Sequence, residues 1–189
     1  MLMPELITNS TIAQAKAGDD SALTAIYRLY QPKVQRFFYY RVGDRYVAED
    51  LTTEVFLRVI EKLPQYRIQQ APLQAWIFQI ARNLAVDHFR RQNVRNDVGL
   101  DVSIPTNGDG PDALTARSLV SDELRSAVEL LTESQADVIV LRFISGLSIA
   151  ETAQTLEKSE SAVKSLQSRG LEALHRVLAN REVAYERIT

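Results

Sequence analysis

The chain has 189 residues, 46% of them hydrophobic, and a formal charge of −2, as expected for a soluble globular protein of one or two domains. It contains no cysteine, which excludes disulfides, thiolate catalysis and cysteine-based zinc sites. No apolar run reaches the ~18 residues of a membrane span and no signal peptide is recognisable, so we expect a cytoplasmic protein without membrane insertion.

The first forty residues predict three helices. Residues 9–17 form the first, which Gly18 ends, and residues 22–30 form the second, which Asp19, Asp20 and Ser21 can cap. Pro32 is predicted to open a third helix, which Gly43 ends, because proline fits the first turn of a helix. The aromatic run at 37–40 is predicted to lie mainly in the core, since bulky aromatic side chains dominate core packing.

Residues 44–62 predict the next helix, which ends before Pro64. Its predicted apolar face consists of Val47, Leu51, Val55, Leu57, Val59 and Leu63. Its outer face carries Glu49, Asp50, Thr53, Glu54 and Arg58. Helical periodicity alone leaves two interpretations of this outer face, a solvated surface or a docking surface for a partner.

The stretch 73–91 predicts a long amphipathic helix preceded by Pro72. Its predicted buried face consists of Leu73, Ile77, Ile80, Ala81 and Leu84. A second stripe consists of Trp76, Gln79, Asn83, Asp87 and Arg90, flanked by Arg82 and Arg91. An aromatic ring, amides and basic ends can stack on bases, read base edges and hold phosphates, but a solvated face fits equally well.

Between residues 93 and 120 the helical pattern fails. The segment is acidic, poor in aromatics and rich in turn residues, as in 107–111 (Asn-Gly-Asp-Gly-Pro), which is typical of a linker. Basic residues gather before and after it. We therefore place a domain boundary here, and a layout of two basic patches suits a protein that binds DNA only with help.

After the linker, a helical pattern resumes at Ser121, with Leu124, Val128, Leu130 and Leu131 as its apolar stripe. Capping boxes at 132–135 and 148–151 open two further helices. A turn at Glu157 then leads into a longer basic helix, which is the layout of a helix-turn-helix. Such a turn usually has glycine where Glu157 stands, and a non-glycine residue in the left-handed conformation costs about 1 kcal/mol. The outer face of the last helix carries Ser161, Lys164, Ser165, Ser168 and Arg169, which suit a major groove.

Catalytic chemistry finds little support in the sequence. His88 and His175 fall in different predicted domains, each on a helix, and the pair Asp87-His88 lacks a third group for a triad. The acidic residues near Glu49 lack the partners of a metal site, and no glycine-rich loop could cradle a phosphate. We therefore expect no enzymatic activity, no metal and no cofactor.

Three blocks together resemble the extracytoplasmic-function (ECF) branch of the bacterial sigma-70 family. They are residues 48–58, 75–91 and 163–169, in order and at suitable spacing, and the resemblance covers nearly the whole chain. It implies an all-α fold of two small helical domains joined by a flexible acidic linker. Residues 1–96 would be region 2, residues 97–120 the linker and residues 121–189 region 4.

The resemblance also implies a function, namely binding core RNA polymerase, directing it to specific promoters and helping to open the −10 region. The −10 element would be contacted by Gln69, Gln70, Trp76, Gln79, Arg82, Asn83, Arg90 and Arg91. The −35 element would be contacted by Ser161, Lys164, Ser165, Ser168 and Arg169. The β′ clamp helices of the polymerase would bind Glu49, Asp50, Thr53, Glu54, Leu57 and Arg58, while region 4 would sit on the β-flap tip. Promoter DNA and an anti-sigma factor complete the implied partners.

Two positions depart from the family pattern. The family more often has glutamine at the position of Thr53, and its −10 loop commonly carries a glycine and an acidic residue, which the segment 67–72 lacks. Two rival functions remain to be distinguished. A stand-alone dimeric helix-turn-helix regulator would need a dimer surface and palindromic sites, and an all-helical interaction protein would have no nucleic-acid role.

Overall fold

The structure is a computed structural model that describes residues 7–97 and 116–186, with side-chain surroundings for residues 7–93 and 121–180. All regular elements within these ranges are helical. The helices are α1 (Asn9–Lys16), α2 (Asp20–Val42), α3 (Arg45–Lys62), α4 (Leu73–Asp97), α5 (Ala116–Val128), α6 (Glu133–Ile139), α7 (Ile149–Leu156) and α8 (Glu160–Glu186), with a 3₁₀ turn at Leu63–Gln65 and a π turn at Val140–Ile144. None of them is both long and apolar enough to cross a membrane.

The N-terminal bundle consists of α1 to α4. Side chains of Thr8, Asp19 and Asp44 cap α1, α2 and α3 by accepting backbone N–H groups, and of these three caps the one at Asp19 was predicted. At its centre Phe37 meets both Phe38 and Phe78 edge to face, with all three rings fully buried. The prediction that the aromatic run lies mainly in the core is therefore confirmed, since Tyr40 is buried as well and Tyr39 packs against the core with partial exposure.

The predicted break at Pro32 is wrong. Pro32 lies inside α2, which runs without interruption from Asp20 to Val42. An internal proline removes one helical hydrogen bond and costs about 3 kcal/mol or more. Residues on both sides of it, Ile26 and Val34, are buried in the same core, so burial of one continuous apolar stripe offsets that cost.

The C-terminal helices are α5 to α8, and the predicted capping and termination signals of α6 and α7 are observed. Both capping boxes form, with Thr132 opening α6 and Ser148 opening α7. Gly146 adopts a left-handed φ of 77° after the π turn. The helix α5 begins at Ala116, five residues before the predicted start at Ser121, and residues 98–115 of the predicted linker lie outside the described residues.

Two leucines predicted to lie on apolar faces are exposed. Leu57 is 59% exposed on α3 and Leu130 is 64% exposed after α5. All members of the predicted buried face of α4 are buried as expected, namely Leu73, Ile77, Ile80, Ala81 and Leu84. Helical periodicity therefore locates the main stripe correctly but not its edges, where a leucine can turn outward.

The two helical bundles pack against each other. Helix α7 lies on α4, and the π turn and α5 lie on α2. Buried residues of both bundles form one continuous cluster, which includes Phe78 of α4 and Leu156 of α7. The face of α4 that carries the polar stripe is thus next to the C-terminal bundle.

Candidate nucleic-acid interface

The start of α8 presents the most open polar surface of the helix-turn-helix. Its five predicted contact residues are Ser161, Lys164, Ser165, Ser168 and Arg169, and all five are exposed. Ser159 opens the helix by accepting the backbone N–H of Ala162 at 3.2 Å, and Val163 is fully buried beneath it. Short hydroxyls and two cations on one open helix face can enter a major groove and hold phosphates.

The turn before α8 has the predicted strained backbone. Glu157 has a φ of 53°, and it is the only non-glycine with positive φ among the described residues. Further along α8, Gly170 packs closely against α6, because a Cβ at this position would come within 2.9 Å of Ile139 Cγ1. Arg142 adds a further tie because its Nε donates to Gln167 Oε1 at 3.0 Å. These contacts hold the exposed face of α8 in a defined orientation.

The polar stripe of α4 is divided between open and occupied positions. Asn83, Arg90 and Arg91 are exposed. Trp76 is half-buried, and its ring centroid lies 4.8 Å from that of Tyr66 with the ring planes tilted by 40°, so one side of the indole is already in contact. Gln79 and Arg82 are half-buried, and both contact the C-terminal bundle.

The loop between the 3₁₀ turn and α4 is shaped by Tyr66, which the sequence did not single out. The buried Tyr66 hydroxyl donates to the carbonyl of Ala71 at 2.6 Å, and Lys16 Nζ donates to the carbonyl of Tyr66 at 2.8 Å. Burial raises the pKa of Tyr66, so the phenol stays a hydrogen-bond donor. The two ends of the loop are thus fixed, while Gln69 and Gln70 remain exposed at its tip.

The outer face of α3 is open along its length. Glu49, Asp50, Thr53 and Leu57 are exposed, and Glu54 pairs with Arg58 one turn later at 2.8 Å. Ile60, which helical periodicity did not assign to this face, is 55% exposed on the same helix, one turn from Leu57. Two exposed aliphatic side chains among charged ones are typical of a protein contact surface.

The ion cluster around Asp137 was also missed. Asp137 lies on α6, its side chain is 3% exposed, and its two oxygens lie 2.8 Å from Arg41 Nε and 3.3 Å from Arg82 Nε. The Arg41 Nε–H does not point at the carboxylate, so that contact is an ion pair, whereas Arg82 donates a hydrogen bond. An acidic residue within the buried run Ala136–Leu141 is the sequence signal that could have revealed it, because buried charges need partners.

Metal chemistry has no visible basis in the described ranges. Within residues 7–97 and 116–186, no three histidine, aspartate or glutamate side chains gather in a way that could hold an ion. His88 lies on α4 next to Phe89, and His175 lies exposed on α8. The exposed polar faces of α3, α4 and α8 are instead suited to binding other macromolecules.

Comparison with known proteins identifies the two bundles separately. A model of sigma-70 region 2 matches residues 26–95, and a model of sigma-70 region 4 matches residues 121–174. The chain is 38% identical over 169 residues to the ECF RNA polymerase sigma factor BldN of Streptomyces coelicolor, a match that covers 88% of this chain and 64% of BldN. It is 35% identical over 157 residues to the ECF RNA polymerase sigma factor SigX of Bacillus subtilis, covering 80% of each. The chain thus spans less than two thirds of BldN but most of SigX.

Solved structures share the fold. CnrH, whose structure was determined with the cytosolic domain of CnrY, superposes with a TM-score of 0.73 at 21% identity, covering 92% of this chain and 98% of CnrH. The sigma factor RpoE of Bartonella quintana, solved with the anti-sigma factor NepR, gives a TM-score of 0.71 at 22% identity, covering 82% of this chain and 96% of that one. At these identities the likeness supports the all-α fold.

Proposed function

Because this chain belongs to the ECF sigma factors of the sigma-70 family, we propose that it binds core RNA polymerase, directs it to specific promoters and helps open the −10 region. The observation that carries the proposal is the pairing of a region 2 match with a region 4 match, in order, each bearing an exposed polar helix face. We assign residues 1–96 to region 2, residues 97–120 to the linker and residues 121–189 to region 4.

Recognition of the −35 element is proposed for the exposed face of α8. Lys164 and Arg169 would hold phosphates, and the hydroxyls of Ser161, Ser165 and Ser168 would contact base edges or the backbone. The support is their shared exposure on one side of a helix that starts directly after the turn at Glu157. The three serine side chains are small, so the helix could approach the groove floor closely.

Recognition and opening of the −10 element are proposed for α4 and the loop before it. Gln69 and Gln70 would enclose a base that leaves the stack, and the free side of Trp76 would stack on a neighbouring base. Unstacking costs a few kcal/mol per step, which such a pocket can offset. Asn83 and Gln79 would read base edges, and Arg82, Arg90 and Arg91 would neutralise phosphates.

Polymerase binding is proposed for the outer face of α3, through Glu49, Asp50, Thr53, Glu54, Leu57 and Arg58. The support is its mixed character, in which the exposed Leu57 and Ile60 lie among charged residues. We propose the β′ clamp helices as the partner of this face and the β-flap tip as that of region 4. Each DNA-binding face is small, so useful affinity would arise only when the polymerase holds both on one promoter.

Further properties follow from the same proposal. The protein would act in the cytoplasm as an initiation factor without catalytic activity of its own. An anti-sigma factor is a proposed partner, since NepR is the partner of the structurally similar RpoE. The alternative of a stand-alone dimeric regulator is not favoured, because both family matches are to sigma-70 regions.

Reconstituted transcription tests the proposal. The purified chain and core polymerase would be supplied with a library of genomic promoters, and the variants Asn83→Ala and Lys164→Ala compared with the wild type. We expect promoter-specific transcripts with the wild-type chain and, since each variant removes one base or phosphate contact, about a fivefold to 100-fold loss with each. Lys62→Ala and Asn180→Ala are matched controls at exposed positions outside the proposed faces. Transcription that is independent of the added chain would contradict the proposal.

A further inference from the structure

The loop between the 3₁₀ turn and α4 contains a tight turn. The backbone N–H of Gln70 donates to the carbonyl of Arg67 at 3.0 Å, which places Ile68 and Gln69 at the two central positions. In the described part of the chain Glu157 alone among non-glycine residues has a positive φ, so neither central residue of this turn is left-handed. The turn is therefore well defined and does not require glycine.

Ile68 is an unusual residue for the corner of such a turn. Glycine, proline, asparagine, aspartate and serine are the common turn residues, whereas a β-branched side chain favours strands. Ile68 is 37% exposed and belongs neither to the hydrophobic core nor to the side chains packed on it. Turn preference and core packing therefore do not account for an isoleucine here, and such departures from local rules are expected at functional sites.

The turn is held in place on both sides. Tyr66 lies just before it, and its hydroxyl donates at 2.6 Å to the carbonyl of Ala71, which lies just after it. Lys16 Nζ of α1 donates to the carbonyl of Tyr66 at 2.8 Å. The Tyr66 ring also contacts that of Trp76 on α4, with 4.8 Å between their centroids. Ile68 is therefore presented by a loop that is already ordered, which lowers the entropy cost of binding.

We propose that Ile68 makes the base-capturing loop selective for thymine, by packing against the 5-methyl group of the base that leaves the duplex. The inference rests on the proposed function, because it concerns the base that Gln69 and Gln70 are proposed to enclose. Among the four DNA bases thymine alone has a methyl group, and apolar side chains are the protein groups that contact it. A flipped base is read by hydrogen bonds to its edge and by apolar contact, and this turn offers both.

The polar neighbours of Ile68 accept thymine without selecting it. A glutamine amide both donates and accepts hydrogen bonds, so Gln69 and Gln70 can pair with the edge of thymine, cytosine or adenine. The turn has no acidic side chain to accept the amino group of cytosine. Ile68 distinguishes the two pyrimidines, because its aliphatic surface gains from burying the methyl group, which cytosine lacks. The exposed Arg67 can hold the phosphate of the captured nucleotide.

Uracil substitution tests the proposal at the level of a single methyl group. A promoter selected from the transcription library carries deoxyuridine in place of each thymine of the non-template −10 strand, one position at a time. Binding of the full chain with core polymerase is measured on DNA already mismatched over the −10 region, so that base-pair strength does not contribute. At one position, loss of the methyl should weaken binding by about threefold to tenfold. The absence of any such position would overturn the proposal.

The Ile68→Ala variant assigns the effect to this side chain. Because alanine removes most of the aliphatic surface, the preference for thymine over uracil should fall below about twofold. Ile68→Val keeps a β-branched apolar side chain and should retain at least about half of the preference. Leu130→Ala is the matched control, since it removes an exposed aliphatic side chain outside the loop, and its preference should equal that of the wild type. An undiminished preference in Ile68→Ala would overturn the proposal.

A second pair of bases separates methyl contact from hydrogen bonding. Cytosine and 5-methylcytosine share one Watson–Crick edge, so at the same position the wild-type chain should bind 5-methylcytosine about threefold to tenfold more tightly. In Ile68→Ala this difference should disappear, and equal binding of the two bases by the wild type would overturn the proposal. If the promoter is transcribed but thymine and uracil are bound equally, the inference fails and the proposed function stands. If no promoter-specific transcript forms, the proposed function fails and thymine selection fails with it.

Discussion

Helices α6 and α8 approach each other closely at Gly170. We therefore predict that a Gly170→Ala substitution destabilises the protein, although helix propensity alone would favour alanine. Replacing glycine by alanine inside a helix normally stabilises it by about 1 kcal/mol. At Gly170, however, the new methyl carbon would lie 2.9 Å from Ile139 Cγ1 and 3.2 Å from its Cδ1. Ile139 is buried and branched at Cβ, so its side chain has little freedom to move away.

The magnitude follows from these two opposing effects. Overpacking of this kind costs about 1–3 kcal/mol, which exceeds the gain in helix propensity. We therefore expect Gly170→Ala to lower the free energy of unfolding by about 1 kcal/mol. In an Ile139→Ala background the crowding atoms are gone, and the same Gly170→Ala change should raise the free energy of unfolding by about 1 kcal/mol.

Urea denaturation of the four chains, followed by far-ultraviolet circular dichroism, measures this cycle. The slopes of the unfolding free energy against urea should agree among the chains, so that the midpoints report stability alone. A stabilising Gly170→Ala in the wild-type background, with no coupling to Ile139, would refute the proposed close approach. The result matters for function because Gly170 follows Ser168 and Arg169 directly and seats the face of α8 that carries them.

Further predictions concern three polar groups. Tyr66→Phe removes the hydrogen bond to Ala71 and should lower the free energy of unfolding by about 1 kcal/mol, with a loss of promoter opening but unchanged polymerase affinity; equal opening by permanganate footprinting would contradict it. Glu157→Gly removes the strain of a non-glycine residue in the left-handed conformation, which is worth about 1 kcal/mol of stability, but it also removes the hydrogen bond to Gln79. The strain relief should outweigh the lost hydrogen bond and raise the melting temperature by a few degrees. The pKa of Tyr39 is raised from its usual 10 to about 12, by burial first and then by its hydrogen bond to Asp122. The neutral phenol stabilises the fold below pH 10, and this contribution is lost as the pH rises from 10 to 12, so Tyr39→Phe should flatten the fall in melting temperature there.

Local sequence signals predicted most of the helices, because capping and termination are local events. The side chains of Asp19, Asp44 and Ser148 cap the helices that follow them, and Gly43 ends α2 in the left-handed conformation. The turn at Glu157 was predicted as a strained departure from glycine and has that geometry. Such features depend on a few neighbouring residues and need no knowledge of the fold.

The failures share a different physical origin. Pro32 remains inside α2 because burial on both sides of it outweighs a local preference, and a local pattern does not contain that burial. Leu57 faces outward because the apolar stripe is narrower than the leucine pattern suggested. Both errors arise where tertiary packing decides the outcome.

The contact between the two bundles was beyond the reach of sequence patterns. Asp137 lies 55 positions from Arg82 along the chain, and no periodicity links an acid on α6 to cations on α2 and α4. Gln79 and Arg82 were singled out correctly as polar residues on the stripe of α4, but their engagement by region 4 follows only from the packing of α7 on α4. Residue identity suggested what these side chains could bind, and the fold shows what already contacts them.

We propose that the two weak DNA-binding surfaces of this chain become competent only on the polymerase. The affinity for a promoter can be measured by equilibrium binding of a fluorescent promoter fragment selected from the transcription library. The isolated chain and the chain with core polymerase are compared at one fixed salt concentration. We predict promoter binding at least about 100-fold tighter with core polymerase than for the chain alone. Tight, sequence-specific binding by the isolated chain would contradict the account.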